Sequence, residues 1–88
     1  MTTKAEIQNV VSVLKMAGIY AEVGDESYGP HAILQKNVDG CSYTYTIGHE
    51  WGMSDWRADI CRDEDAVIID SSEGSFRSVL TWFLTNCN

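Results

Sequence analysis

His49-Glu50 opens like the H-E-x-x-H helix of a zinc protease, where two imidazoles one turn apart hold the metal and the glutamate acts as base. Position 53 is Met, so the second ligand is missing. Gly48 and Gly52 mark a loop rather than a helix. What remains is His49, Glu50 and Asp55, the set that a small enzyme or metal-dependent domain would use here. Metal centres need several ligands in rigid geometry, and a glycine-flanked loop does not supply it. No metal and no cofactor is therefore expected.

Nucleophilic chemistry would need a thiol beside an imidazole, drawn from Cys41, Cys61, His31 and His49. The strand pattern below turns Cys41 inward, as a small buried thiol. It turns Cys61 outward among acids, which disfavour a thiolate. Thirteen carboxylates offer many acid–base pairs, but spacing does not separate a catalytic pair from a solvated face, and a domain of this size rarely adds a deep pocket. Gly24 and Gly29 do not cradle phosphate, because Asp25 and Glu26 between them repel it. The expectation is a protein that is not an enzyme.

Lys and Arg number 6 and Asp and Glu 13, so the formal charge is 6 − 13 = −7. Such a surface repels nucleic acid and anionic membrane and attracts cationic partners. Six dispersed cations form no basic stripe. No apolar run approaches the roughly 20 residues of a membrane-spanning helix. Met1-Thr2-Thr3-Lys4 leads straight into an amphipathic pattern with no signal-peptide core. Three cysteines without close pairs suit neither a disulfide framework nor zinc, and read as reduced thiols, with one disulfide plus a free thiol as the alternative. The chain reads as soluble and cytoplasmic. Its 88 residues, 44% hydrophobic, predict one folded domain over 1–88 rather than disorder.

Ile7, Val10, Val11 and Leu14 predict a helix over about 3–17, capped by Thr2 or Thr3 and ended by Gly18. Ile19, Ala21 and Val23 alternate as a first strand, and 24–30 reads as a loop. Asp39-Gly40 between two β-rich runs predicts a type I′ hairpin. Val38 then faces Cys41, Lys36 faces Tyr43, Leu34 faces Tyr45 and Ala32 faces Ile47. That register gathers Ala32, Leu34, Val38, Cys41, Tyr43, Tyr45 and Ile47 on one face. Gln35, Asn37, Ser42, Thr44 and Thr46, with Ile33, fall on the other. Trp56, Ala58 and Ile60 alternate in a further strand. Arg62 to Asp65 is a charged turn, and Ala66–Ile69 a short strand. Asp70 or Ser72 is the expected cap of a last helix with a stripe of Phe76, Val79, Leu80, Phe83 and Leu84. The predicted fold is α+β: a mostly antiparallel sheet of about five strands, with an N-terminal and a C-terminal helix packed on one face.

With catalysis set aside, recognition remains. Trp51 and Met53 sit in a glycine-flanked loop beside Glu50 and Asp55, and Trp and Met suit binding surfaces. The plain reading of Trp51 is a cap on the core. Trp82 lies about 130° around its helix from the centre of the apolar stripe, which makes it an expected partner or homodimer contact, or else a side chain packed on a loop or a sheet edge. Tyr28 is a weaker candidate of the same kind. The prominent turn acids are Asp25 and Glu26, Glu50 and Asp55, and Asp63, Glu64 and Asp65, expected to be unpaired. Their plain reading is solubility alone. A small, acidic, motif-free chain of this kind is similar to the inhibitors that phages carry against bacterial defence, of the anti-CRISPR and anti-restriction type. The likeness is one of size, charge and absence of motifs, and brings no site residue with it. It implies a non-enzymatic inhibitor that mimics nucleic acid, in the host cytoplasm, and blocks a positively charged, nucleic-acid-binding surface of a protein complex. An immunity protein or small chaperone with a basic client is the alternative.

Overall fold

Apolar residues three and four apart make α1 (Lys4–Met16), whose buried side chains are Ile7, Val10 and Leu14. The protein is seen here as a computed structural model that describes residues 4–26, 29–49 and 55–87. The expected caps Thr2 and Thr3 lie outside that range. The far end of α1 closes as read from the sequence. Gly18 has φ +83°, its N–H donates to Lys15 O at 3.0 Å, and Ile19 N–H reaches back to Leu14 O at 2.8 Å. These are the paired bonds of a Schellman motif, and the apolar contact that goes with it is made by Leu14 and Ile19, both buried.

The remaining elements are β1 (Glu22–Glu26), β2 (Gly29–Val38), β3 (Cys41–His49), β4 (Trp56–Arg62), β5 (Val67–Gly74) and α2 (Phe76–Cys87). The strands form one antiparallel sheet in the order β1-β2-β3-β4-β5. α1 packs on β1 and β2, and α2 on β3, β4 and β5. The expected α+β fold with five antiparallel strands and two flanking helices is thus present. The core between the layers is centred on Phe83, Ile7, Leu14, Ile47 and Val79, which are fully buried. Each removes roughly 1.5–3 kcal/mol worth of apolar surface from water. Tyr45 meets Phe83 edge-on, with ring centroids 6.4 Å apart.

The β2–β3 hairpin has the expected register, from Val38↔Cys41 to Ala32↔Ile47. Asp39 and Gly40 have φ of 53° and 83°, the left-handed pair that a type I′ turn requires. Lys36 shares the packed face, opposite Tyr43. Its ammonium donates to the Cys87 carbonyl at the end of α2 and lies 5.9 Å from the Tyr45 ring centre. A cation thereby satisfies an orphan carbonyl at the negative end of the helix dipole.

Two element boundaries differ from the expectation. The first strand is not 19–23, and 24–26 and 29–30 are strand rather than loop: β1 begins at Glu22, runs through Gly24, Asp25 and Glu26, and pairs with β2, which begins at Gly29. Ile19 and Ala21 are buried instead as the chain leaves α1. Cross-strand pairing overrides the poor β-propensity of Gly-Asp-Glu. Likewise Asp70 and Ser72 do not cap the last helix. β5 continues through both to Gly74, because β4 offers partners as far as Trp56↔Gly74. The cap is Ser75, whose Oγ accepts from Ser78 N–H at 3.3 Å and whose carbonyl accepts from Val79 N–H at 3.0 Å.

The two hairpin turns call for opposite substitutions. Gly40→Val places a β-branched residue at positive φ and is expected to cost about 1–3 kcal/mol. Ala66, in the β4–β5 turn, already carries φ 55°. Ala66→Gly should relieve ~1–2 kcal/mol of left-handed strain against ~0.5–1 kcal/mol of added chain entropy, a small net gain. Thermal melts of both variants check the signs; a midpoint unmoved by Gly40→Val would rule out the turn described.

Candidate functional site

Alternation along the strands sends every second side chain away from the helices, and the register aligns these residues in rows across the outer face. One row is Gly24, His31, Gly48, Arg57 and Glu73; the next is Glu22, Ile33, Thr46, Asp59 and Ser71. Both helices lie on the other side. The outer face has no covering layer among the described residues, and it is the broadest surface available for recognition.

The first row has unusual packing. His31 is 3% exposed although it belongs to this outer face, and its Nδ1 donates to the Gly29 carbonyl at 3.0 Å. Two glycines make room for it. A Cβ on Gly48 would stand 2.8 Å from His31 Cβ, and one on Gly24 would stand 3.0 Å from His31 Nε2. His31 is thus a packed histidine rather than an exposed base. Beside it Arg57 binds Asp59, with Nε to Oδ1 at 3.0 Å, and reaches Glu73, with Nη1 to Oε1 at 3.5 Å.

The acids at the β4–β5 turn depart from the expectation that they stand unpaired. Ser42 Oγ donates to Asp63 Oδ2 at 2.6 Å, and Thr44 Oγ1 to Asp63 Oδ1 at 2.5 Å. These hydroxyls hold the Asp63 carboxyl below its usual range, Ser42 more than Thr44. Asp65 takes a two-pronged contact from Arg62, with Nε–Oδ1 at 3.0 Å and Nη2–Oδ2 at 2.6 Å. The guanidinium bond depresses the Asp65 carboxyl likewise. Glu64 alone of the three makes no such bond. The causes differ: β3 brings Ser42 and Thr44 beside Asp63 and the turn brings Arg62 to Asp65, whereas Glu64 stays exposed.

The other sequence candidates scatter. Asp25 and Glu26 lie on β1, opposite Pro30 and Gly29, and Asp55 is exposed just before β4. These mark one end of the sheet. Asp63, Glu64 and Asp65 mark the other, so the nine residues of β3, about 3.4 Å each, separate the two groups. Tyr28, Glu50, Trp51 and Met53 lie outside the described residues. Trp82 is not the exposed outlier expected: it is half-buried and packs against the core.

The chemistry-bearing residues do not assemble among the described residues. No three His, Cys, Asp or Glu gather as metal ligands. The His49 ring meets Trp56 at 4.5 Å between centroids in a tilted arrangement, and Trp56 meets Phe76 likewise at 4.5 Å. Cys41, Cys61 and Cys87 are free thiols. Burial pushes the Cys87 thiol up to about 11, with the Lys36 ammonium pulling weakly the other way. An open groove of about 340 Å³ runs along Tyr20, Glu22, Ile33, Leu34 and Gln35, without convergent catalytic groups. Among the described residues no helix is long and apolar enough to cross a membrane. No family model matches the chain, and no curated protein or solved structure matches it either.

Sequence reasoning missed the Arg57–Asp59–Glu73 group and the His31 trough. Arg57 and Asp59 stand two apart on a read strand, which was the available signal. Glu73 was lost to the misplaced helix start, and the trough around His31 to Gly24, which the sequence reads as loop and the structure places on β1.

Two measurements follow. A carboxylate depressed on folding contributes stability above its ordinary value near ~4 and loses it as the pH falls through the lower folded value. Asp63→Asn should therefore melt below the wild type at neutral pH, with the gap closing in acid. A gap that stays constant down to strong acid would contradict the hydroxyl clamp. For the thiols, protein unfolded without reductant should titrate three groups, and in the native protein Cys87 should react last; finding one group would reveal a disulfide.

Proposed function

We propose that the protein is a non-enzymatic, acidic binding domain that occupies a cationic surface on a protein complex which itself binds nucleic acid. It acts in the cytoplasm, in the manner of the phage-borne inhibitors it resembles in size and charge. The observation that supports this most is the sorting of charge between the two faces. Glu22, Asp59, Asp63 and Glu73 present four carboxylates on the open side of the sheet, where Arg57 is the one cation among the described residues. Lys4 and Lys15 belong to α1 and Arg77 to α2. Lys36 is spent on the α2 carboxyl end and Arg62 on Asp65. Carboxylates spread over a sheet about as long as β3 resemble a run of phosphates in sign and breadth. Such a field speeds encounter with a basic groove and competes with the polyanion that normally fills it.

Affinity capture from the native host, followed by binding kinetics, tests the reading. Reversing all three turn acids would disturb the turn as well as the surface, so the variant of choice is Glu22→Lys with Glu64→Lys. Both sites are exposed, and the melt should hardly change. Association with the captured partner should slow about tenfold at low salt and converge with wild type at high salt, and DNA or RNA should compete. Capture of a single toxin that ignores nucleic acid would favour an immunity protein instead. Unchanged association at low salt would reduce the acids to a solvated face.

A further inference from the structure

β5 is the outermost strand of the sheet. Val67, Ile68 and Ile69 on it are 45%, 51% and 47% exposed, the one run of three large apolar residues in the open among the described residues. An edge strand presents unpaired N–H and C=O groups that template a further strand, and proteins usually blunt such edges with lysine, proline or brevity. β5 is eight residues long and contains neither lysine nor proline. Its irregularity is a register shift between Ile60 and Cys61 that leaves Ile69 as the extra residue. The shift divides the strand into an apolar part before it and an acidic part, with Asp70 and Glu73, after it.

Charge decides what fits this edge. A second copy of this chain carries the same −7 and the same Asp70 and Glu73 on the strand itself, so pairing β5 with its own copy brings like charge together. Like charges that approach across paired strands are destabilising. A cationic strand meets the opposite situation. Asp65 and Glu73 have Arg62 and Arg57, whereas Glu64 and Asp70, which bracket the apolar run, have no ion pair among the described residues. The geometry points to β5 as a docking strand for an extended segment of a basic protein, with apolar β-branched residues along Val67–Ile69 and Lys or Arg at both ends against Glu64 and Asp70. This rests on the reading of the protein as a binder of cationic partners, and adds strand addition as the mode.

Short fluorescent peptides test it directly. The parent probe is Lys-Arg-Thr-Ile-Val-Ile-Thr-Arg-Lys, compared with the same peptide N-methylated at alternate amides in either of two frames, and with Glu in place of every Lys and Arg. Strand addition predicts that the parent binds the wild-type protein. One methylated frame should bind about tenfold more weakly, because its blocked amides face β5, and the other should match the parent. The Glu-ended peptide should not bind, and Ile68→Lys should weaken the parent while leaving the melt unchanged. Failure of the parent to bind, or equal binding of both methylated frames, overturns the inference. So does a self-associated dimer that Ile68→Lys dissolves. The underlying reading is judged separately. If the edge test fails while Glu22→Lys with Glu64→Lys still slows capture of the basic partner, only the docking strand is wrong. If that variant associates as fast as wild type, the cationic partner is wrong first.

Discussion

The left-handed pair Asp39-Gly40 fixes β2 against β3, and the parity of the whole sheet is referred to that register. Once Val38 faces Cys41, Ala32, Tyr45 and Ile47 must share a side, and Thr46 and Ser42 must share the other. β1 and β4 then take their parity from β2 and β3 by direct pairing, and β5 from β4. A slip of one residue between β3 and β4 would exchange the faces of β4. It would carry Asp59 and Arg57 under the helices and turn Ala58 and Ile60 to water. Burying two ions is far costlier than losing one hydrogen bond, so the separation of acid from core follows from the turn.

That separation also explains where the cations go. A chain with twice as many acids as bases has few choices of partner for each base. Here Lys36 meets a helix carboxyl end, Arg62 braces a turn and Arg57 divides its guanidinium between two carboxylates. None of these contacts is strong in isolation, since exposed pairs contribute little. Together they use up local positive charge near the strands and leave the outer face with a net negative field.

The parts of the fold legible in the sequence were those governed by local rules. The α1 stripe, the Gly18 end and the Asp39-Gly40 hairpin each depend on residues a few positions apart. The parts misread depend on distant partners. Gly24-Asp25-Glu26 becomes strand because β2 lies alongside, and Asp70–Gly74 stays strand because β4 reaches that far. The surface was half legible. Asp63 and Asp65 were found as turn acids, but their hydrogen bonds go to Ser42 and Thr44 on another strand and to Arg62 in a geometry that only the closed turn supplies. Trp82 stands off the apolar stripe on a helical wheel, yet it packs against the core.

The meander order has a consequence for how the molecule assembles. Each strand lies against its neighbour in sequence, so the sheet can grow hairpin by hairpin, closing short loops at small entropic cost. The helices obey a different schedule. Lys36 and Cys87, which join β2 to the end of α2, are 51 residues apart, and the residues that fill the core come from both α1 and α2. The hairpins alone therefore form a ribbon with one wet apolar side. Both helices are needed to cover that side: α1 closes it over β1 and β2, and α2 over β3, β4 and β5, so the core depends on contacts far apart in the chain.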